Sequence, residues 1–259
     1  MPIITIISDW NNNDFYVGAV KGRLLSLIPE ATIIDISHMV MPKNMAQAAF
    51  IMRNCYKQFP KNTIHLICID TDKKNNNNKI IVCDEGQYFI GADNGIYSLI
   101  TNDGPEKVYR IKDNIFKEKT TFPELYEFTE IAAYIVKDNN LNKIAEETTS
   151  YEKLLPLRPQ IEESLINGNI IYIDSYYNAV SNITHDLFSK IGKGRKFEIL
   201  VQSYHYRITT INKFYSDSIQ GDLLAVFNSL GLLEIAINNG KATELLNLKV
   251  GSEITIKFK

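Results

Sequence analysis

The stretch Ile3-Ile4-Thr5-Ile6-Ile7-Ser8-Asp9, followed by a polar loop and then Asp14-Phe15-Tyr16-Val17-Gly18-Ala19-Val20-Lys21-Gly22, decides the fold. A run of β-branched residues without polar alternation is the pattern of a strand buried on both faces, as parallel strands are. Val17, Val20, Leu24 and Leu27 then recur at helical spacing, and Pro29 follows the end of that helix. A strand therefore delivers Ser8-Asp9 to a loop that precedes a helix. In open α/β sheets this is a place where ligands bind.

The same rhythm continues outward. Ala31 to Ile36 predicts a second strand, and Met45, Ala48, Met52 and Cys55 mark the apolar face of a second helix. Ile64 to Ile69 predicts a third strand, which also ends on an acid, Asp70. Lys79 to Cys83 and Tyr88 to Ile90 read as strands joined by a Glu85-Gly86 turn, and Ala92-Asp93-Asn94-Gly95 precedes a further short helix. Asn139 to Asn169 is polar and mostly helical in pattern, broken by Pro156 and Pro159, and a domain boundary is expected near its end. Beyond it, Ile170–Ile173, Lys196–Val201, Tyr206–Ile211, Leu223–Phe227, Leu232–Ile237 and Glu253–Phe258 are short strand candidates separated by turn residues. The expected architecture is an N-terminal α/β domain over 1–160, with a central, mostly parallel sheet flanked by helices. A smaller β-rich, barrel-like domain is expected over 161–259.

Composition narrows the function classes. With 259 residues, 45% of them hydrophobic, the chain can bury the core of two domains. A net charge of -2 supplies no positive field for nucleic acid or an anionic membrane, so neither is an expected partner. No signal-peptide pattern opens the chain and no run of about 18 apolar residues occurs in it, which predicts a soluble cytoplasmic protein. Cys55, Cys68 and Cys83 are odd in number and form no C-x-x-C pair, so they read as core thiols. Neither G-x-G-x-x-G nor G-x-x-x-x-G-K-[ST] follows a strand, and H-E-x-x-H is absent. No metal or cofactor is expected. The Asn runs at 11–13 and 75–78 read as surface loops, and Lys190, Lys193, Arg195 and Lys196 as a solvated turn.

The order of the motifs carries a resemblance. Ser8-Asp9 through Asp14 and Lys21-Gly22, Ile34-Asp35-Ile36-Ser37-His38, Pro42, Ile69-Asp70 and Ala92-Asp93-Asn94-Gly95 together resemble the N-terminal domain of the S-adenosylmethionine hydroxide adenosyltransferases. That family is related to the S-adenosylmethionine-dependent fluorinases and chlorinases. Asp174-Ser175-Tyr176-Tyr177-Asn178 with Ser181-Asn182-Ile183 is similar to the family's D-x-F-G-N-x-x-T-N-I segment. Asn228-Ser229-Leu230-Gly231-Leu232-Leu233-Glu234-Ile235-Ala236 is similar to N-S-x-G-x-L-E-I-A.

The resemblance implies a homotrimer that binds S-adenosylmethionine or adenosine between the N-terminal domain of one subunit and the C-terminal domain of its neighbour. The reaction it implies is displacement at C5′ of the ribose, with methionine leaving as a neutral thioether. Asp9 matches the acid that accepts hydrogen bonds from the ribose hydroxyls, and Asp14 the acid that faces the methionine ammonium. Taken alone, Asp9 would read as a loop or capping acid and Asp14 as first-turn helix charge. Asp174 and Ser229 match positions at the methionine end. Asn178, Tyr176 and Phe214 match the adenine side, where an amide reads the base edge and flat rings cover its face. The backbone at Asn238 and Asn239 corresponds to an adenine-contacting stretch, and His38 reads as a structural histidine.

The water-activating part departs from the family pattern. Members carry an Asp in V-D-P-G-V-G, an Arg shortly after it, and a His in T-F-H-G-R-D. Here Ile69-Asp70-Thr71-Asp72-Lys73-Lys74 keeps the candidate catalytic Asp70, the Arg position falls within Asn75–Asn78, and Pro123 in Thr121-Phe122-Pro123-Glu124 stands at the His. Proline cannot shuttle a proton. Three readings follow. In the first, the protein hydrolyses S-adenosylmethionine to adenosine and methionine, with Asp70 orienting water and Asp72, Lys73, Lys79 or Glu124 replacing lost contacts. In the second, it binds S-adenosylmethionine or adenosine without turnover. In the third, it transfers halide, which an ionised Asp70 opposes by several kcal/mol in a poorly hydrated pocket.

Overall fold

The structure, a computed structural model, describes residues 1–71, 79–101, 104–116, 120–138 and 140–259, with the side chains of 203–205 left aside. It divides into two compact units, Met1–Leu155 and Pro156–Lys259. That division falls a few residues ahead of the expected boundary at 160.

The first unit runs β1 (Ile3–Ser8), α1 (Tyr16–Leu27), β2 (Thr32–Ser37), α2 (Met45–Cys55), β3 (Ile64–Cys68), β4 (Lys79–Asp84), β5 (Gln87–Ala92), α3 (Tyr97–Ile100), β6 (Lys107–Ile111), α4 (Thr129–Lys137) and β7 (Ala145–Glu147). Its sheet is mixed, in the order β2-β1-β3-β5-β4-β6-β7. The first four strands in that order are parallel, and β4, β6 and β7 continue it antiparallel. The parallel part is therefore the half that carries β1. Glu85 and Gly86 join β4 to β5 with φ of 52° and 73°, the left-handed pair that a two-residue hairpin needs to match strand twist.

The apolar run of β1 is explained by helices on both faces. Ile4 and Ile6 enter one core with Val20 and Leu24 of α1 and Ala132 of α4, while Ile7 enters another with Ala48 and Met52 of α2 and Tyr97 of α3. The chain leaves β1 toward β2 on one side and leaves β3 toward β4 on the other. Adjacent strands whose connections diverge in this way leave a crevice at their carboxyl ends. Asp9 and Asp70 stand at those ends.

The second unit contains β8 (Gln160–Glu162), β9 (Leu165–Ile173), β10 (Ala179–Thr184), α5 (His185–Gly192), β11 (Phe197–Val201), β12 (Ser203–Ile208), β13 (Leu223–Phe227), β14 (Leu232–Ile237), α6 (Ala242–Leu245) and β15 (Glu253–Phe258). The antiparallel order is β12-β11-β15-β9-β10-β14-β13, with β8 beside β9. Beyond β12, the Asn212 amide donates to Ala225 of β13 at 2.8 Å, so the sheet nearly closes on itself. Alternating residues such as Ile166, Ile170, Ile183, Ile235 and Ile254 fill its interior.

The segment from 139 to 169 differs from expectation. Among its described residues the only helical piece is a single 3₁₀ turn at Leu141–Lys143, and the rest is extended or irregular. Residues 152–158 are exposed, and Pro156 and Pro159 hold their preceding residues extended. Among the described residues no helix is long and apolar enough to cross a membrane.

Candidate active site

The site in the first unit is built from strand ends. Ser8 pairs with Cys68 across β1 and β3, which places Asp9 and Asp70 beside one another just past the sheet. Asp70 turns the chain with φ of 44°, and the Asn94 amide pins that turn by donating to the Ile69 carbonyl at 2.9 Å. One carboxylate oxygen of Asp9 accepts the Lys43 amide at 2.8 Å, and Lys43 Nζ lies 3.1 Å from Asp70 Oδ1. One lysine thus ties both acids, through its backbone and its side chain. Its position is set locally: Lys43 adopts φ of 60° after Pro42, and Asn44 caps α2 by accepting the Gln47 amide at 3.0 Å. Gln47 in turn accepts the Met41 amide at 2.9 Å.

A buried carboxylate backs this pair. Glu124 and Glu127 lie on a π-helical turn, Glu124–Phe128, that leads into α4. Wide turns of this kind are frequent at functional sites. Glu124 is 4% exposed, accepts the hydroxyl of Thr71, and has its carboxyl pushed above the usual range by burial, offset in part by the Thr71 hydrogen bond. Glu127 is matched by Lys79 at 2.5 Å. Ser8 and His38 form a buried support, with the hydroxyl 2.7 Å from Nδ1, and His38 Nε2 lies 3.1 Å from Asp35. Trp10 packs edge-on to Phe122 at 5.5 Å, which closes the α4 side.

The second unit carries a cavity of 630 Å³ lined by Asp174–Asn178, Tyr215 and Ile237–Lys241. The Asp174 carboxylate holds the β9–β10 turn: it accepts the Tyr176 and Asn178 amides at 2.9 and 2.8 Å and the Asn178 side chain at 3.1 Å. The Asn178 side-chain carbonyl can accept from another donor, its backbone carbonyl being taken by the Asp174 amide at 3.2 Å. Tyr176 is largely exposed, and Lys241 Nζ stands 4.1 Å from the Tyr177 ring centre. Glu234, 3% exposed, accepts Tyr215 Oη at 2.8 Å and the Asn228 amide group at 3.0 Å.

The expected residues are distributed as follows. Asp9 and Asp70 come together in the first unit, and Asp14 lies exposed in the loop before α1, whose N-terminus no side chain caps. Asp174, Tyr176 and Asn178 share the cavity of the second unit. Ser229 sits in the β13–β14 turn, at the other end of β14, and its neighbour Asn228 reaches the cavity through Glu234 and Tyr215. Phe214 is exposed next to Tyr215, its amide held by Asp217 at 2.9 Å. Asp72 and Lys73 lie outside the described residues. Lys43, Tyr215 and Lys241 were not expected. The Pro42-Lys43-Asn44 turn ahead of an amphipathic helix was the available signal for Lys43. A 490 Å³ hollow lined by Met1, Pro2 and Pro60–Ile64 lies at the opposite end of β1 and β3, away from these acids.

Known proteins resemble this chain over its full length. A chain of Methanocaldococcus jannaschii named (R)-S-adenosyl-L-methionine hydrolase is 26% identical, covering 100% of this chain and 97% of its own. A fluorinase of an Actinoplanes species is 22% identical, covering 98% and 97%. The crystal structure of an uncharacterised conserved protein from Thermotoga maritima superposes with a TM-score of 0.87 at 28% identity, covering 98% and 99%. Residues 4–145 match the model of the SAM hydroxide adenosyltransferase N-terminal domain and residues 168–255 that of the C-terminal domain. The chain belongs to the SAM hydroxide adenosyltransferase family.

Proposed function

We propose that this protein hydrolyses S-adenosylmethionine to adenosine and methionine by attack of water at C5′. The observation that carries this reading is the pair Asp9 and Asp70 at the carboxyl ends of adjacent parallel strands, joined by Lys43. It is supported by full-length similarity to chains named as hydrolases of this molecule. Asp9 accepts the ribose hydroxyls, with lone pairs left over after the Lys43 amide is satisfied. Asp70 accepts a hydrogen bond from the attacking water and takes up its proton. The substrate is a sulfonium, so the C5′–S bond breaks with its electron pair going to sulfur and no acid is needed for the leaving group. Positioning and exclusion of water supply most of the acceleration. Asp14 faces the methionine ammonium. Asp174 and Ser229 serve the methionine end, and Tyr176, Asn178 and Phe214 the adenine.

The assembly in this proposal is a cytoplasmic homotrimer, each site using the first unit of one copy and the second unit of the next. The three free cysteines fit a reducing compartment. Incubation with S-adenosylmethionine, followed by chromatography for adenosine and methionine, tests the reaction, and calorimetric titration of the same sample tests binding. Equimolar adenosine and methionine are expected, lost in Asp70→Asn with binding retained. Binding without product would leave a nucleoside-binding protein, the reading favoured by Pro123 at the family's His position.

A further inference from the structure

Resting on the proposed hydrolysis, the question is what makes water the attacking group. The residue beside Asp70 bears on it. Thr71 follows the left-handed turn at Asp70 and is half-buried, and its hydroxyl hydrogen is committed to Glu124. The bond runs from the Thr71 hydroxyl to a carboxylate oxygen of Glu124. To any further partner the Thr71 hydroxyl can then offer only oxygen lone pairs. Asp70 presents the same, and Asp9 stands across the β1–β3 crevice.

We propose that Glu124 orients the Thr71 hydroxyl so that Thr71 and Asp70, whose carboxylate also holds the Lys43 ammonium, both turn lone pairs to the nucleophile, which selects water over halide as the group that attacks. Water brings two hydrogens, one for Asp70 and one for Thr71, and is left with a lone pair aimed at C5′. A halide ion brings none and needs donors around it. Its approach would set an anion against the carboxylate of Asp70 and the lone pairs of Thr71 in a site of low dielectric. In the reaction the water oxygen forms a bond to C5′ as the C5′–S bond breaks. The electron pair leaves with the thioether, and the released proton passes to Asp70. Glu124 is 4% exposed and touches Thr71, so it acts as a positioning residue.

Two variants separate hydroxyl direction from charge. Glu124→Met keeps the volume and removes the acceptor, which frees the Thr71 hydrogen to turn toward the crevice. Thr71→Val removes the hydroxyl and leaves Glu124 in place. Crystals of the wild type, each variant and the double variant are soaked in sodium bromide, and bromide is located by anomalous scattering. Bromide within hydrogen-bond reach of Thr71 Oγ1 is expected in Glu124→Met alone. Bromide there in the wild type, its absence from Glu124→Met, or its persistence in the double variant would each overturn the proposal. The last outcome would show that loss of negative charge alone attracts the ion. In the hydrolysis assay each single variant should lower kcat by on the order of 10²-fold, as expected when a nucleophile is mispositioned. The double variant should be no worse than either, because the two residues act as one unit. Single-variant losses that multiply would count against it. Failure of the wild type to form adenosine would overturn the proposed function, while the bromide sites would still decide the role of Glu124.

Discussion

His65 shows at residue scale how a polar group survives in this core. It is fully buried on β3, stacked on Phe89 at 4.7 Å, with Thr5 Oγ1 2.7 Å from Nδ1 and Gln87 Oε1 2.6 Å from Nε2. The tautomer follows from the neighbours. Gln87 gives its amide hydrogen to the Tyr56 carbonyl at 3.1 Å, so its oxygen must accept from Nε2–H, and Nδ1 then accepts from Thr5. Burial lowers the imidazole from 6.5 to about 4, against the raising effect of Gln87. Between those values the unfolded chain binds a proton that the folded chain does not, so stability falls as pH drops from about 6.5 to 4. The full contribution is about 3 kcal/mol by proton linkage. Glu124 and Asp84, both raised chiefly by burial, act in the opposite direction over the acidic range, so the His65 effect is read as a difference between proteins. Urea unfolding at pH 7 and 4.5 should show the wild type losing more stability on acidification than His65→Gln. Equal losses would mean that His65 is not the titrating group.

At the scale of elements, α2 matters because its entry holds the site. Asn44 caps the helix, Gln47 reaches back to Met41, and Lys43, one residue earlier, holds Asp9 and Asp70. Replacing Asn44 with Ala leaves the Gln47 amide without its side-chain acceptor and should cost about 1 kcal/mol of stability. Because the Lys43 turn is set by that cap, the same change should raise KM for S-adenosylmethionine, while Asn44→Asp, which keeps the acceptor, should spare both. Urea midpoints and steady-state kinetics on the two variants check this, and a stability loss with unchanged KM would separate the cap from the site. The elements also show what could be read in advance. The β1 strand was legible because burial on both faces leaves an unbroken apolar run, and the β4–β5 hairpin because Glu85-Gly86 permits left-handed φ. Residues 139–169 were not, since a polar segment with no apolar stripe fits a solvated helix and an extended connection alike. The role of Lys43 depends on one backbone angle, and that of Glu124 on a π-helical turn that meets Thr71 across the fold. Neither leaves a periodicity in the sequence.

For the whole molecule, each unit has its own hydrophobic core, and the proposed site draws Asp9, Asp70 and Glu124 from the first and Asp174, Tyr176 and Asn178 from the second. The proposed trimer makes every site from two different chains, and mixed assemblies can test this. Asp9→Asn disables the first-unit half while leaving an acceptor for the Lys43 amide, and Asp174→Asn disables the second-unit half while leaving one for the β9–β10 turn. Homotrimers of either variant should have little activity. When the two chains are co-expressed with different tags and mixed assemblies are purified through both, some sites pair an intact first unit with an intact second unit. With homotrimers removed, every mixed ring of three holds one such site, about one in three. Recovery of about a third of wild-type kcat, with KM for S-adenosylmethionine near that of the wild type, is therefore expected. If both halves of a site came from one chain, every site in the mixture would carry one lesion, and activity would stay at the level of the parent variants.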